Sequence, residues 1–261
     1  MGWALPEWKA HPMIVEVRRQ DRILVIAMNR PAKRNAVNKE MAEALSAALD
    51  LMDDDDELWA GVLTGTREFF CAGTDLKDGA DARTERGGEY GIIRRRRRKP
   101  LIAAVEGACF GGGMEIAFAC DLVVAATTAR FALPESRRGL VPSSGALLRA
   151  TRSLPIHLAK ELMITGAELS GERAHHFGLV NRIAEPGAAL EAAIDLAEDV
   201  CQSSPTAVQA ILEALADQLD EADAVGWTAT AKAVDRVVSS DDLQEGLAAF
   251  FERRPPRWVG R

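Results

Sequence analysis

The chain has 261 residues, 48% of them hydrophobic and 27% charged, a composition that supports a sizeable core and excludes a disordered or collagenous description of the whole. With 32 Lys and Arg against 39 Asp and Glu the net charge is −7, so the basic surplus of a nucleic-acid binder is absent and a phosphate-bearing small ligand would need a local patch. Cys71, Cys109, Cys120 and Cys201 are spaced like neither a zinc site nor a compact disulfide framework and are expected as reduced core thiols, with no metal. The N-terminus lacks a basic lead followed by an apolar run, and no stretch reaches the roughly 18 to 20 apolar residues of a membrane span, so a cytoplasmic protein is expected.

In chain order, Met13–Val17 and Arg22–Met28 read as a hairpin or neighbouring strands. Asn38 is placed to cap a helix whose residues Met41, Leu45, Ala48, Leu49 and Met52 share a face. Asp53–Glu57 follows at the negative end of that helix, where acids are unfavourable, and is expected mostly in a solvated loop. Trp59–Thr64, Leu101–Val105 and Asp121–Ala125 read as buried strands, with Phe69–Gly73 after the first. Beyond Asn181 the pattern is helical, with stripes at Leu190, Ala193, Ile194 and Ala197, at Val208, Ile211, Leu212 and Leu215, and at Leu243, Leu247, Phe250 and Phe251. Those stripes must bury against the core or against another subunit. The change of rhythm predicts an α/β core over residues 1–200 followed by a helical region over 201–261.

The markers of P-loop ATPases, Rossmann dehydrogenases, zinc proteases and α/β-hydrolases are absent. His11, His157, His175 and His176 are scattered and read as surface or packing residues. Two segments stand out. In Phe70–Leu76 a strand ends among small residues that leave backbone amides open. In Gly107–Glu115 three glycines precede an apolar helix whose start offers free amides and a positive dipole end. Brought together, the two turns would form an oxyanion hole, although a triple glycine alone is equally an ordinary flexible turn. Glu115 falls in the first helical turn, where the dipole favours the ionised form, and Glu135 follows the apolar Phe131–Pro134, which favours protonation. Taken singly, either glutamate belongs at the surface.

The sequence resembles the crotonase superfamily, the enoyl-CoA hydratase/isomerase family. The resemblance is carried by Asn29–Pro31 with Asn35–Asn38, by Phe70–Leu76, by Lys99–Glu115, by Pro134–Glu135 with Gly139–Pro142, and by segments from Leu162 through Val180 and Glu245 through Pro255. It implies an α/β fold, a spiral of repeated ββα units with a C-terminal helical region that helps form a homotrimer or hexamer. It implies that the amides of Thr74 and Gly112 hold the thioester oxygen of an acyl-CoA, with Glu115 as base and Glu135 as acid. It also implies coenzyme A contacts from Arg34, Ala36, Ala72, Asp75 and Leu76, with coenzyme A part of the substrate and no separate cofactor. The expected reaction is addition of water across C2=C3 of a 2-enoyl-CoA. An isomerase, another acyl-CoA dehydratase and a catalytically silent acyl-CoA binder are the alternatives.

Pro142–Gly145 departs from the family's glycine-rich turn, and the hydroxyls of Ser143 and Ser144 are placed to shift the attacking water. A serine nucleophile has no histidine assigned to it by motif. Arg94–Lys99 reads either as a phosphate patch or as a solvated helix end, and Arg253 and Arg254 invite the same question. The pocket walls are expected from loops such as Asp78–Tyr90.

Overall fold

The computed structural model describes residues 13–79 and 82–260. His11 and, within the expected pocket-wall loop, Ala80 and Asp81 lie outside them. The predicted hairpin forms slightly later in the chain than its apolar run suggests: β1 is Val15–Gln20 and β2 is Ile23–Met28, paired antiparallel with Gln20 opposite Ile23. Asn38 caps α1 (Lys39–Asp54), its side chain accepting a hydrogen bond from the Met41 amide at 3.1 Å. There follow β3 (Ala60–Thr64), β4 (Phe69–Cys71) and a short ribbon of β5 (Arg83–Thr84) and β6 (Gly88–Glu89). Next come β7 (Leu101–Val105), β8 (Ala108–Phe110), α2 (Gly112–Ala119), β9 (Leu122–Ala126) and β10 (Arg130–Ala132). A 3₁₀ turn over Glu135–Arg138 leads to α3 (Ala146–Ser153), α4 (Ile156–Thr165), β11 (Glu168–Ser170), α5 (Gly171–His176) and β12 (Arg182–Ala184). The chain then continues through α6 (Ala189–Cys201), α7 (Pro205–Val238) and α8 (Asp241–Glu252).

From β3 to β10, the β5–β6 ribbon apart, successive strands alternate between two sheets, which is the expected spiral. One sheet has the order β1-β2-β3-β7-β9-β12, parallel from β2 onward, and the other the order β11-β10-β8-β4. Each of the pairs β3–β4, β7–β8 and β9–β10 puts one strand in each sheet. Both faces of the larger sheet are covered, and its central strands are accordingly apolar on both sides. Leu24, Ile26 and Met28 of β2 join the main core, whereas Ile23 and Val25 face Ala193, Ile194 and Ala197 of α6.

Two charged runs depart from expectation, for one reason. Asp53 is not solvated: it ends the buried face of α1 and meets Arg95, Nε to Oδ2 at 3.0 Å, with both side chains almost wholly buried. Arg94–Lys99 is neither a helix end nor an open phosphate patch, because its cations are spent on acids and carbonyls. Arg94 pairs with Glu89, Arg95 also with Asp50, Arg96 with Asp217 and Asp220, and Arg97 with Asp121. Lys99 is buried and donates to the carbonyls of Met52 at 2.8 Å and Asp55 at 2.7 Å. A cation thus closes the negative end of α1, where the acidic run alone would be unfavourable.

Of the cysteines, Cys71 and Cys109 are buried, Cys120 and Cys201 are half-buried, and all four are free thiols. His157, His175 and His176 are exposed. No helix among the described residues is long and apolar enough to cross a membrane. The stripes of the last third divide. α6 buries its own against the sheet, but on the 34-residue α7 Thr230 is the only buried residue among those described, and Ile211 and Leu215 are 58% and 52% exposed.

Candidate active site

The two turns meet. Past β4, Gly73 takes a φ of +93°, and a side chain there would come within 2.9 Å of the Gly112 amide nitrogen. The next residue, Thr74, forms a lone parallel bridge with Val37, using the Gly73 carbonyl (2.8 Å) and the Asp75 amide (3.0 Å) on either side of it. That pattern turns the Thr74 amide away from Val37. Gly112 opens α2, so its amide has no partner within the helix. Among the described residues neither amide donates a hydrogen bond to the protein, and Thr74 and Gly112 both line one cavity of about 220 Å³. The triple glycine is not a flexible turn: a side chain on Gly113 would sit 2.2 Å from the Cys71 carbonyl oxygen. The absence of side chains lets α2 start directly against the end of β4.

Glu115 and Glu135 line the same cavity. Glu115 projects inward from the first turn of α2, 2% exposed, and its Oε1 accepts from the amides of Ser144 at 2.7 Å and Ala146 at 3.1 Å. Glu135 begins the 3₁₀ turn after Pro134, and its Oε2 is buried without a partner among the described residues. The surface placement that each glutamate has on its own is therefore wrong for this fold. So is the expectation that the helix dipole keeps Glu115 ionised. Burial dominates and, with the charge of Glu135 nearby, pushes Glu115 up to about 8, against the two amides that pull it down. Burial likewise pushes Glu135 up to about 7, with Arg138 pulling the other way. Two carboxyls in one closed space titrate as a unit and keep a proton between them near neutral pH.

Ala72 and Leu76 also line the cavity. Arg34 and Ala36 do not, but they adjoin it: the Arg34 carbonyl accepts from the Ala72 amide at 3.1 Å, and the Arg34 side chain is exposed. Asp75 does not line the cavity: it is buried, its carboxylate is committed to Arg30 at 2.6 Å, and its amide donates to the Val37 carbonyl. Ser143 and Ser144 both line the cavity, yet what Ser144 gives Glu115 is its amide rather than its hydroxyl. No histidine lines the cavity among the described residues, so a serine nucleophile has no imidazole beside it to activate it. Arg254 is taken by Glu245 and Glu252.

Sequence reasoning passed over Tyr90 as a site residue. It is the only tyrosine of the chain, it has a φ of +57°, and it lines the cavity. Its hydroxyl lies 2.7 Å from Thr74 Oγ1 and occupies the space where a Gly112 side chain would stand. Burial, reinforced by the charge of Glu115, raises its pKa and keeps it a neutral phenol. A lone tyrosine set between Gly88 and Gly91 is the trace it leaves in the sequence.

The cavity therefore presents two free amides to an oxygen and two proton-exchanging carboxyls beside it. The sequence model of the Enoyl-CoA hydratase/isomerase family matches residues 18–261. Enoyl-CoA hydratase EchA19 of Mycobacterium tuberculosis is 36% identical over 255 residues, covering 94% of this chain and 96% of the relative. Carnitinyl-CoA dehydratase of Salmonella arizonae is 37% identical over 257 residues, covering 94% and 98%. Among solved structures, carnitinyl-CoA hydratase from Mycobacterium avium superposes with a TM-score of 0.89 at 36% identity, covering 95% of this chain and 99% of that one. The fold, the arrangement of the cavity and these likenesses together place the chain in the enoyl-CoA hydratase/isomerase family, whose members with hydratase and dehydratase chemistry act on acyl-CoA thioesters.

Proposed function

We propose that the chain is an enoyl-CoA hydratase that adds water across C2=C3 of a 2-enoyl-CoA. The observation that carries this reading is the convergence of two undonated amides, Thr74 and Gly112, with two proton-retaining carboxyls, Glu115 and Glu135, in one cavity. The thioester oxygen accepts from the two amides, which stabilise it as electron density moves onto it. Such a donor typically contributes about 2.7 to 4 kcal/mol to the transition state. One carboxylate takes a proton from water as its oxygen bonds to C3, and the other carboxyl delivers its proton to C2, so that the pair ends with the same single proton it began with. We assign the base to Glu115 and the acid to Glu135: in the reactive form the pair's one proton stands on Glu135, whose Oε2 has no competing acceptor, and the Glu115 anion is carried by the two amides on its Oε1, although burial raises Glu115 the further of the two.

Dehydration is the same path in reverse, and the relatives named as hydratases and dehydratases fit a site that runs both ways. Coenzyme A lies along Arg34, Ala36, Ala72, Asp75 and Leu76, contacted mainly by backbone, and no separate cofactor takes part. The active form is a homotrimer or a hexamer. The test is loss of the conjugated-enoyl absorbance when crotonyl-CoA and longer enoyl-CoAs meet the purified protein, with product analysis. A 3-hydroxyacyl-CoA product supports the reading. A shifted double bond without added water would make the protein an isomerase, and binding without any reaction across the panel would make it a silent binder.

A further inference from the structure

Arg138 lines the cavity, and its charge has not been accounted for. Glu135–Arg138 is a single 3₁₀ turn, in which residues i and i+3 eclipse, so Arg138 stands on the face that carries Glu135. Of the other arginines nearby, Arg83 and Arg94 pair with Glu89 and Arg30 with Asp75, while Arg137 donates to the Thr165 carbonyl and Arg149 to that of Ile93. Arg138 is partly buried and forms no ion pair or hydrogen bond among the described residues. Its guanidinium stacks instead over Phe250 of α8, 4.8 Å from the ring centre. Stacking engages the plane of a guanidinium and leaves its edge, where the N–H donors lie, open. Unlike Arg97 Nε and Arg149 Nη1, none of its nitrogens is sealed from water, so these donors are open to a ligand that enters the cavity. A fork of that shape fits a carboxylate, which takes two parallel hydrogen bonds.

We propose that Arg138 is the receptor for the far end of the acyl group, and that the preferred substrates are 2-enoyl-CoA thioesters whose acyl chain ends in a carboxylate. This rests on the hydratase reading and narrows its substrate class. The anion comes from the acyl tail rather than from coenzyme A, because Arg138 shares its turn with Glu135 at the reacting end, whereas the proposed coenzyme A path runs along Arg34, Ala36 and Asp75. Occupation also suits the chemistry. Arg138 opposes protonation of Glu135, and an anion seated on Arg138 offsets that influence, so Glu135 keeps the proton it must deliver.

The test uses saturated thioesters, which bind without turning over. Calorimetric titration of the whole protein with adipyl-CoA and hexanoyl-CoA, equal in chain length, is expected to favour adipyl-CoA by about tenfold or more, the worth of a charge-assisted hydrogen bond. Arg138→Met is expected to bring the ratio close to one, and Arg138→Lys, which keeps the charge but loses the fork, to fall between. Equal wild-type affinities would overturn the proposal, and that comparison decides even if Arg138→Met does not fold. So would an Arg138→Met variant that weakens both thioesters alike, as contact with a coenzyme A phosphate predicts. A variant that lowers the melting temperature while leaving the affinity ratio intact would reduce Arg138 to a packing partner of Phe250. Turnover of the matching 2-enoyl-CoAs is read separately. A preference for adipyl-CoA without hydration of either enoyl ester would sink the hydratase reading and leave the tail receptor standing.

Discussion

At the scale of single residues the proposed chemistry depends on a proton that burial keeps on a carboxyl pair. With Glu115 raised to about 8 and Glu135 to about 7, the singly protonated pair is the working form, and kcat/KM is expected to rise through about pH 7 and fall above about pH 8. Glu115→Gln and Glu135→Gln are each expected to lower kcat by about 10²- to 10⁴-fold and to abolish one limb of that profile. Full activity in either variant would overturn the assigned roles. The same shifts set the sign of a stability effect. A carboxyl whose folded pKa lies above its ordinary 4.5 contributes stability that is complete below that value and lost as pH climbs through the folded one. The melting temperature of the wild type is therefore expected to decline between about pH 5 and 8, and that of Glu115→Gln to decline less steeply. Tyr90 borders the same centre, its hydroxyl bonded to that of Thr74. Removing only its oxygen in Tyr90→Phe is expected to lower kcat/KM for crotonyl-CoA by roughly two- to tenfold, the range of one neutral hydrogen bond. An unchanged value would show that the bond between the two hydroxyls plays no part.

At the scale of elements the site exists because α2 begins against the end of β4. Gly113 makes no contact expected of a catalytic group, yet a methyl there would meet the Cys71 carbonyl at 2.2 Å and push the two amide-bearing turns apart. Gly113→Ala is expected to cost about 10²- to 10³-fold in kcat, as loss of an oxyanion donor does, and to lower the melting temperature. Unaltered steady-state kinetics would mean that the spacing of β4 and α2 does not matter. The sequence made this junction legible because glycine, alanine and the helix start are local signals. It also made the larger strands legible, since Leu101–Val105 and Trp59–Thr64 are unbroken apolar runs. It did not disclose the pairing of Asp53 with Arg95, because patterning registers a charge as solvated and says nothing of a partner 42 residues away. Nor did it settle the ionisation of Glu115, since the dipole is readable from position but burial is a property of the whole fold. The buried pair carries its own test. Asp53→Ala leaves Arg95 only the partly exposed Asp50 and is expected to cost about 3 kcal/mol in urea unfolding, the low end for breaking a buried pair. The double variant with Arg95→Met should recover much of that loss. A single variant as stable as the wild type would show that the pair contributes nothing.

At the scale of the whole molecule the helical third poses a problem of coverage. α6 is satisfied by the large sheet and α8 buries Leu243 and Ala249, but α7 extends over 34 residues with Ile211, Leu215, Leu219 and Val225 each more than 40% exposed. Apolar periodicity announces that such a face must be covered and is silent about what covers it, which is why the stripe was legible while its partner was not. A row of side chains of this size left in water is unfavourable by roughly 1.5 to 3 kcal/mol each relative to full burial, enough to drive association of copies that present it to one another. The proposed trimer or hexamer supplies that cover. Placing charges in the row, as Ile211→Asp with Leu215→Asp, should leave the sheets intact, because neither side chain belongs to either core. Light scattering on a sizing column is expected to find the wild type as a trimer or hexamer and the double variant as a monomer with unchanged far-ultraviolet circular dichroism. A double variant that elutes with the wild-type mass would show that assembly uses another surface, and a monomeric wild type would remove assembly from the account of α7 altogether.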